Sequence, residues 1–322
     1  MEKRVAVIVS VSPSEPEKVV EKSAQHIMNL DFDGLITKIV YVIDLKDRND
    51  RRGEKIRATG VDVLERDHRR GKKAGAINDC LNFLLSSGFK PDYLVFFDVD
   101  SRPSEDFIKK CVKALEENRN AFIASSERIV INPDTLVSET LDLEYRIFNF
   151  LIKRSRFKNF NGLIGVVRGD VILKYRMDES SFAEDLDFST KMHALGYESV
   201  FVEGTSIYEQ APVTWKDLFS QRKRWYYGGL QLFKNRHLRK NRRMAFEILS
   251  AVIAAHLVIL LTPLLILSPL YILYRFRKVK KLRLVLGLAI YLLVNQAAAL
   301  ASLYSFMRGR EIEWKGIKRV EQ

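Results

Sequence analysis

Three nearly continuous apolar runs constrain the fold of this chain more than any other feature. RVAVIVSV, TKIVYVID and DYLVFFDVD do not alternate apolar with polar residues along most of their length. A strand of this kind is typically covered on both faces, as in a parallel sheet with helices on each side. Amphipathic helical stretches separate these runs, at residues 16–30, 71–86 and 104–117. The pattern therefore predicts an α/β fold with a mostly parallel sheet.

Two long apolar segments follow the α/β part, within residues 244–307. They are AFEILSAVIAAHLVILLTPLLILSPLYILY and LVLGLAIYLLVNQAAALASLYSFM. Each exceeds the roughly 20 apolar residues that cross a bilayer. Two simple spans would leave the basic loop 275–283 outside, against the positive-inside rule. A re-entrant hairpin bent near Pro263 or Pro269 is the alternative to two spans.

Two basic runs account for nearly all of the formal net charge of +13. Residues 234–243 and 275–283 each contain six Lys or Arg and no acid, and each run lies beside an apolar segment. Basic residues at such a place attract anionic lipid headgroups by about 1 kcal/mol each. We expect anionic membrane lipids, and not nucleic acid, as the partner of these runs. Solvated loops without a partner are the alternative.

Cysteine, histidine and the N-terminus carry little functional signal. Two Cys and five His form no spacing typical of a disulfide framework or a zinc site. The apolar run near the N-terminus is too short for the core of a signal peptide. The folded part is therefore expected in the cytoplasm, against the inner face of the cell membrane.

Two carboxylates, Asp98 and Asp100, follow the apolar run YLVFF. Ligands of open α/β sheets bind beyond the carboxyl ends of the strands. Two carboxylates there can hold Mg²⁺ or Mn²⁺, with a substrate diphosphate completing the coordination shell. A solvated turn after a strand is the alternative.

Two predicted helix starts also carry charged residues. Lys73 lies in RRGKKAGAINDCL where a loop becomes a helix, which is an arrangement that binds phosphate. Glu184 and Asp185 open a short helix in FAEDLDF, and one of them could act as a general base toward an acceptor hydroxyl. Ordinary helix starts, with acids favoured by the helix dipole, are the alternative in both cases.

Gln221, Arg224 and Trp225 form a QxxRW pattern in the stretch QRKRWYYGGLQLFKN. At positions i, i+3 and i+4 the three side chains share one face of a helix. Arginine can bind a diphosphate through two nitrogens, and tryptophan can stack on a sugar ring. A membrane-anchoring interfacial helix is the alternative, and the two functions are compatible.

The four motifs, in this order and ahead of apolar segments, resemble the membrane-bound inverting glycosyltransferases of family 2. That group contains cellulose, hyaluronan and chitin synthases and ceramide glucosyltransferase. The resemblance rests on GKKAGAIN, FFDVDSRP, FAEDLDF and YEQAPVTWKDLFSQRKRW, and it covers roughly residues 4–233. It implies the GT-A fold, in which a nucleotide-binding α/β sheet merges with an acceptor-binding part.

The resemblance implies roles for four residues on the nucleotide side. Asp44, which ends TKIVYVID, corresponds to the acid that contacts the nucleoside, and Lys73 to a lysine near the nucleotide. Asp98 corresponds to an acid beside the nucleotide, and Asp100 to the acid that binds the divalent cation. The family's PTYNE and DDGS segments are SPSEP and IDLKDRND here, so the nucleotide stays open, with UDP as the family default.

The resemblance also implies a catalytic base and an acceptor side. Asp185 corresponds to the base of the family's TED motif, written AED in this chain, with Glu184 beside it on the acceptor side. Asn161-Gly162 stands loosely where the family has an acceptor motif. Gln221 and Arg224 correspond to residues that bind the diphosphate, and Trp225 to the acceptor platform. The implied reaction is a single displacement that inverts the anomeric carbon.

The number of apolar segments indicates which kind of acceptor the enzyme uses. Two segments in one chain are few for the channel of a processive synthase, which favours transfer to a lipid acceptor at the membrane surface. A homo-oligomer that forms a channel for a saccharide polymer is the alternative. A non-catalytic adaptor that binds anionic lipid and a nucleotidyltransferase that releases pyrophosphate are alternatives from other classes.

These features predict four parts of the chain. Residues 1–213 form the GT-A domain, and residues 214–243 form the interfacial QxxRW helix with its basic run. Residues 244–307 hold the two hydrophobic membrane segments, and residues 308–322 form a cytoplasmic tail.

Overall fold

A computed structural model describes residues 2–234, 242–257, 268–275, 283–310 and 312. The described chain separates into two compact units. The first contains the residues up to Arg128 together with Ile152–Glu209, and the second contains Ile129–Leu151 and the described residues from Gln210 onward. The predicted division at residues 213, 243 and 307 stays a prediction.

One eight-stranded sheet forms the centre of the first unit, with the strand order β3-β2-β1-β4-β7-β6-β8-β5. The strands are β1 (Lys3–Val11), β2 (Leu35–Asp44), β3 (Asp62–Arg66), β4 (Tyr93–Asp98), β5 (Arg102–Pro103), β6 (Ala121–Val130), β7 (Gly165–Arg168) and β8 (Glu198–Glu209). Strands β3, β2, β1 and β4 are mutually parallel. Strand β7 runs antiparallel to β4 and β6, and β5 runs antiparallel to β8.

Helices connect the strands of this sheet, and further helices form most of the second unit. Their bounds are α1 (Glu17–Met28), α2 (Arg52–Arg57), α3 (Lys72–Ser86), α4 (Phe107–Glu117), α5 (Leu136–Arg154), α6 (Gly169–Tyr175), α7 (Glu184–Ala194), α8 (Trp215–Gln231), α9 (Arg242–Leu257), α10 (Ser268–Arg275) and α11 (Arg283–Met307). A 3-10 turn, Asn161–Leu163, precedes β7. The α/β fold class predicted from the apolar runs is confirmed.

Strand β1 shows why its sequence is apolar on both faces. Val5, Val7 and Val9 point into a core that they share with α1, α2 and α4. Ala6 and Ile8 point into a second core on the opposite face, which α3, α6 and α7 complete. Each of these five side chains is at most 1% exposed. Burial on both faces of the sheet therefore requires the continuous apolar pattern.

The second unit is helical in its described part. Val137 and Leu141 of α5 pack with Leu218 of α8 in one apolar cluster. Leu143 of α5 packs with residues of α10 and α11 in another cluster. Residues of α5 thus contribute to both apolar clusters of this unit.

Helix α11 is the one described helix that is long and apolar enough to cross a membrane. It has 25 residues, and one third of its most apolar window is buried inside the protein. Its exposed apolar side chains recur every seven residues, at Leu286, Leu293, Leu300 and Met307. The middle of the first predicted apolar segment, including Pro263, and most of both basic runs lie outside the described residues.

Gly169, the first residue of α6, lies directly against the chain between α3 and β4. Its amide donates to the Asp92 carbonyl at 2.7 Å. A Cβ atom built on Gly169 would lie 2.1 Å from the carbonyl oxygen of Pro91. Only a glycine fits this approach without a shift of the backbone.

We therefore expect Gly169→Ala to lower the free energy of unfolding by about 1–3 kcal/mol, as overpacking of a tight contact does. Thermal denaturation of the purified protein measures this loss. Gly229→Ala in α8 is the matched control, because its Cβ would meet Val252 at an ordinary 3.5 Å. Equal melting temperatures for wild type and Gly169→Ala would contradict the prediction.

Candidate active site

Two predicted acids, Asp44 and Asp98, lie at the same edge of the sheet. Asp44 ends β2 and Asp98 ends β4, on either side of β1. Because the three strands are parallel, both acids are at their carboxyl ends, where ligands of such sheets bind. Strand β7 is antiparallel to β4 and begins at this same edge, with Gly165 opposite Phe96. The turn before β7 is thereby brought to the candidate active site.

Lys73, the second residue of α3, binds both Asp98 and this turn. Its Nζ donates to Asp98 Oδ1 at 2.6 Å and to the Gly162 carbonyl at 3.0 Å. Burial opposes the charge on Lys73, but the carboxylates of Asp98, Glu184 and Asp185 more than offset that effect and raise its pKa. The ammonium group thus stays charged among three acids.

Asp185, the predicted base, contacts the same turn from its other side. The Gly162 amide donates a hydrogen bond to Asp185 Oδ2, and Asp185 is half-buried at the start of α7. The structure therefore brings together most of the site residues predicted on the first unit. They are Lys73, Asp98, Asn161, Gly162, Glu184 and Asp185.

Asp98 and Asp100 are the predicted ligands of a divalent cation. Asp100 is 5% exposed, whereas the side chain of Asp98 is 37% exposed and contacts Lys73. Among the described residues, no group of three or more His, Cys, Asp or Glu could hold a metal ion by itself. Two carboxylates fit a Mg²⁺ or Mn²⁺ ion that takes its other ligands from substrate phosphates and water.

The predicted nucleoside contact, Asp44, is held by a buried arginine. Arg66 Nη1 lies 3.0 Å from Asp44 Oδ1, and Arg66 Nε lies 3.0 Å from Asp79 Oδ2. Burial raises the pKa of Asp44, and the positive charges of Arg66 and Arg69 partly offset this rise. Arg66 also donates to the carbonyls of Arg70 and Lys72, which fixes the start of α3.

A second buried arginine, Arg52, joins the loops that follow β1 and β2. It donates to the carbonyls of Ser12, Glu15 and Asp44 at 2.8, 3.2 and 2.9 Å, and it is paired with Asp50. Burial opposes the charge of Asp50, but its bonds with Arg52 lower the pKa of that carboxyl well below its usual range. The atypical SPSEP and IDLKDRND segments are thereby held together by Arg52.

Gln221, Arg224 and Trp225 lie on α8, in the second unit, and are half-buried. Thr214 caps α8 by accepting a hydrogen bond from the Asp217 amide at 3.1 Å. The predicted helix at the QxxRW pattern is confirmed. Because the pattern and the first-unit residues belong to separate units, the functional roles of these three residues stay predictions.

Arg222, which the QxxRW pattern does not include, orients Trp225. Its guanidinium lies 4.3 Å from the centre of the Trp225 ring, and it is paired with buried Glu144 of α5. Tyr291 of α11 donates to the other oxygen of Glu144 at 2.5 Å. This buried cluster within the second unit connects α5, α8 and α11.

Arg128 and Glu209 form a further buried pair that sequence reasoning missed. Arg128 lies near the end of β6 and Glu209 ends β8, and their side chains are 17% and 5% exposed. Burial raises the pKa of Glu209 to about 7, with Arg128 opposing the rise and Asp100 and Asp98 adding to it. Glu209 lies within YEQAPVTWKDLFSQRKRW, but no spacing in that stretch distinguishes it.

Two family descriptions match this chain. Residues 93–302 match "Glycosyl transferase family group 2", and residues 14–169 match "Glycosyl transferase family 2". The fold and the matches together place the chain among the glycosyltransferases with a GT-A-like fold. It belongs to glycosyl transferase family group 2, whose match covers more than half of its length.

Curated relatives include two plant proteins. One is "Probable glucomannan 4-beta-mannosyltransferase 4" of Oryza sativa subsp. japonica, 25% identical over 57% of this chain and 33% of the relative. The other is "Glucomannan 4-beta-mannosyltransferase 9" of Arabidopsis thaliana, 25% identical over 58% of this chain and 34% of the relative. This chain spans about one third of the length of these relatives.

Solved structures agree in fold. Mannosyltransferase PcManGT from Pyrobaculum calidifontis, in complex with GDP-Man and Mn²⁺, has a TM-score of 0.62 at 17% identity and covers 97% of this chain and 89% of its own. S. aureus TarS 1-349 in complex with UDP has a TM-score of 0.52 at 15% identity, and the match covers 98% of this chain and 94% of the TarS chain. At these identities the likeness bears on the fold alone.

The raised pKa of Glu209 predicts a pH-dependent stability. A carboxyl whose pKa rises from 4.5 to about 7 on folding binds more protons in the folded protein. Its contribution to stability is fully present below pH 4.5 and is lost as the pH rises to about 7. We therefore expect the melting temperature of wild type to fall, relative to that of Glu209→Gln, across this range.

Glu179→Gln is the control for this measurement, because hydrogen bonds from Asn78 and Arg70 lower the pKa of Glu179. An acid whose pKa is lowered on folding contributes stability that is lost only below its ordinary pKa. The difference in melting temperature between wild type and Glu179→Gln should therefore stay flat from pH 4.5 to 7. If the melting-temperature difference between wild type and Glu209→Gln were also flat, the raised pKa of Glu209 would be contradicted.

Proposed function

We propose that this protein transfers a sugar, with inversion, from a nucleoside-diphosphate sugar to a hydroxyl group of a lipid or lipid-linked acceptor. One observation carries the proposal. The carboxylate of Asp185 is held by the Gly162 amide, next to the Lys73–Asp98 ion pair, at the ligand-binding edge of the sheet. A base beside a charged nucleotide-binding edge is the arrangement that glycosyl transfer needs.

In the proposed reaction Asp185 accepts the proton of the acceptor hydroxyl as its oxygen attacks the anomeric carbon. The bond between that carbon and the phosphate oxygen breaks, and the nucleoside diphosphate leaves with the electron pair. Attack from the opposite face turns an α-linked donor into a β-linked product. Gln221, Arg224 and Trp225 keep the diphosphate and acceptor roles that the family resemblance implies.

Asp100 and Asp98 would hold the divalent cation. When bound, Mg²⁺ or Mn²⁺ neutralises the negative charge that develops on the departing diphosphate. Lys73 contributes a fixed positive charge at the same edge of the sheet, and its contact with Asp98 keeps that charge in place. Asp44, held by Arg66, is the proposed contact for the nucleoside.

The relatives guide the choice of donors to test. Both named curated relatives are mannosyltransferases, and one solved neighbour holds GDP-Man while another holds UDP. We therefore place GDP-mannose beside the UDP-sugars that the family resemblance suggested. The SPSEP and IDLKDRND segments, joined by Arg52, would form the nucleoside-binding loops.

The lipid acceptor is proposed from the exposed face of α11. Leu286, Leu293 and Leu300 are 60%, 59% and 55% exposed, and they lie on one face of this mostly apolar helix. The basic runs before and after the first apolar segment add attraction to anionic lipid. A polymer synthase that works as an oligomer is the second candidate, favoured by the glucomannan synthesis named for both curated relatives.

The first test measures transfer by the protein in lipid nanodiscs with Mn²⁺, labelled GDP-mannose or UDP-sugars and a total lipid extract. We expect label to enter the organic phase. Asp185→Asn should lower the rate by about 10²–10⁴-fold, as removal of a general base does. Asp170→Asn, a first-turn acid of α6, is the control and should keep full activity.

High-mass label that a glycosidase releases would replace the lipid acceptor with a polymer. Transfer of label by Asp185→Asn at the wild-type rate would refute Asp185 as the base. If wild type used none of the donors, the proposed enzyme activity would fail.

The second test measures binding to lipid vesicles by flotation. We expect Leu286→Glu/Leu293→Glu to weaken binding to vesicles of phosphatidylcholine and phosphatidylserine by at least roughly 100-fold, because each leucine buried in the lipid contributes about 1.5–3 kcal/mol. Ile36→Glu is the control, since Ile36 is an exposed apolar residue of β2 in the first unit. Unchanged flotation of the double variant would exclude the α11 face as a lipid contact.

A further inference from the structure

The orientation of the proposed base depends on a short backbone turn. The Gly162 amide donates a hydrogen bond to the carboxylate of Asp185, and Gly162 is the middle residue of the turn Asn161–Leu163. If this turn moves, the carboxylate loses the hydrogen bond that directs it. The position of the turn therefore determines whether this hydrogen bond forms.

The turn has an unfavourable backbone conformation. Gly162 has φ of 70°, and Leu163, which carries a large side chain, has φ of 53°. A left-handed conformation is costly for any residue other than glycine, and it persists when the surroundings impose it. Something outside the turn must therefore hold it in place.

Two cationic side chains bind successive carbonyl groups of the turn. Lys73 donates to the Gly162 carbonyl at 3.0 Å, and Arg128 Nη1 donates to the Asn161 carbonyl at 3.4 Å. Lys73 also faces Asp98, so it belongs to the candidate active site already described. Arg128 instead approaches the turn from β6.

Arg128 is itself fixed by Glu209. Arg128 Nη2 donates to Glu209 Oε2, while Nη1 of the same planar group reaches the turn. The pairing of Arg102 with Tyr208 places Glu209, the next residue of β8, beside Ser101 and Asp100. The rigid guanidinium thus connects the end of β8 to the turn.

The pair is expensive to bury. Removing two charges from water costs several kcal/mol per ion, and apolar residues of similar volume often stabilise a protein equally well. The pair by itself is therefore weak evidence for a role in stability. The hydrogen bond from Arg128 to the Asn161 carbonyl, by contrast, acts directly on the turn that holds Asp185.

We propose that Arg128 and Glu209 are positioning residues, which hold the turn Asn161–Leu163 so that the Gly162 amide directs the carboxylate of Asp185. This inference rests on the proposed function for its effect on catalysis, but its structural part does not. The contacts that carry this role are those of Arg128 with the Asn161 carbonyl and with Glu209. Their loss should slow proton transfer without weakening the binding of the donor.

The test uses the double variant Arg128→Met/Glu209→Leu, which removes both charges and leaves no charge buried alone. We expect kcat to fall by about 10–100-fold, the cost of a misplaced catalytic group, with KM for GDP-mannose or the active UDP-sugar within about twofold of wild type. Arg128→Lys keeps the charge but not the planar group, so its kcat should lie between that of wild type and that of the double variant.

Hydrogen–deuterium exchange supplies a readout that needs no activity. We expect amides of the peptide that contains residues 160–164 to exchange at least ~10-fold faster in the double variant, because the turn opens locally. Arg168→Lys is the matched control, since Arg168 of β7 also binds backbone carbonyls, those of Leu115, Asn118 and Ala121. It should lower the melting temperature but leave kcat and exchange in this peptide unchanged.

A folded double variant with wild-type exchange in residues 160–164 would overturn the proposal, and so would wild-type kcat. If exchange rises as expected while wild type transfers no sugar from any donor, the positioning contact stands and the proposed function fails. Exchange that rises equally throughout the first unit would assign the pair to stability alone and would refute positioning.

Discussion

The ammonium group of Lys73 balances the charges of the candidate active site. Asp98, Glu184 and Asp185 bring three negative charges to one edge of the sheet, and like charges at such a place repel one another. Lys73 contacts Asp98 directly and binds the carbonyl of the turn that holds Asp185. The positive charge of Lys73 thereby offsets part of the repulsion among these three carboxylates.

The start of α3 explains how Lys73 reaches this place. Gly71 and Lys72 both adopt left-handed conformations, which turn the chain sharply before the helix begins. Gly75 then lies against the Arg70 carbonyl, where a Cβ atom would come within 1.9 Å. The small residues of GKKAGAIN therefore let the loop fold back on the helix, and that tight turn sets the position of Lys73.

The sequence predicted those parts of the fold that depend on local patterns. Continuous apolar runs predicted β1, β2 and β4, because burial on both faces leaves no polar position in a strand. The sequence did not predict β3, β5 or β7, which have five, two and four residues and are too short to show a clear pattern. Motif spacing predicted Lys73, Asp98 and Asp185. The Arg128–Glu209 pair could not be predicted, because its members are 81 residues apart and meet only when β6 and β8 join the sheet.

Helix α11 has an apolar exposed face and carries several polar side chains on its buried side. Tyr291 donates to Glu144, Asn295 accepts from Tyr226, and Ser302 bonds to the Ala299 carbonyl within its own helix. Each of these polar side chains is thus satisfied inside the second unit. In hydrocarbon an unsatisfied polar group costs several kcal/mol, so its partner must come from within the protein. The proposed contact of α11 with lipid therefore requires no partner for these three side chains beyond those that the second unit already supplies.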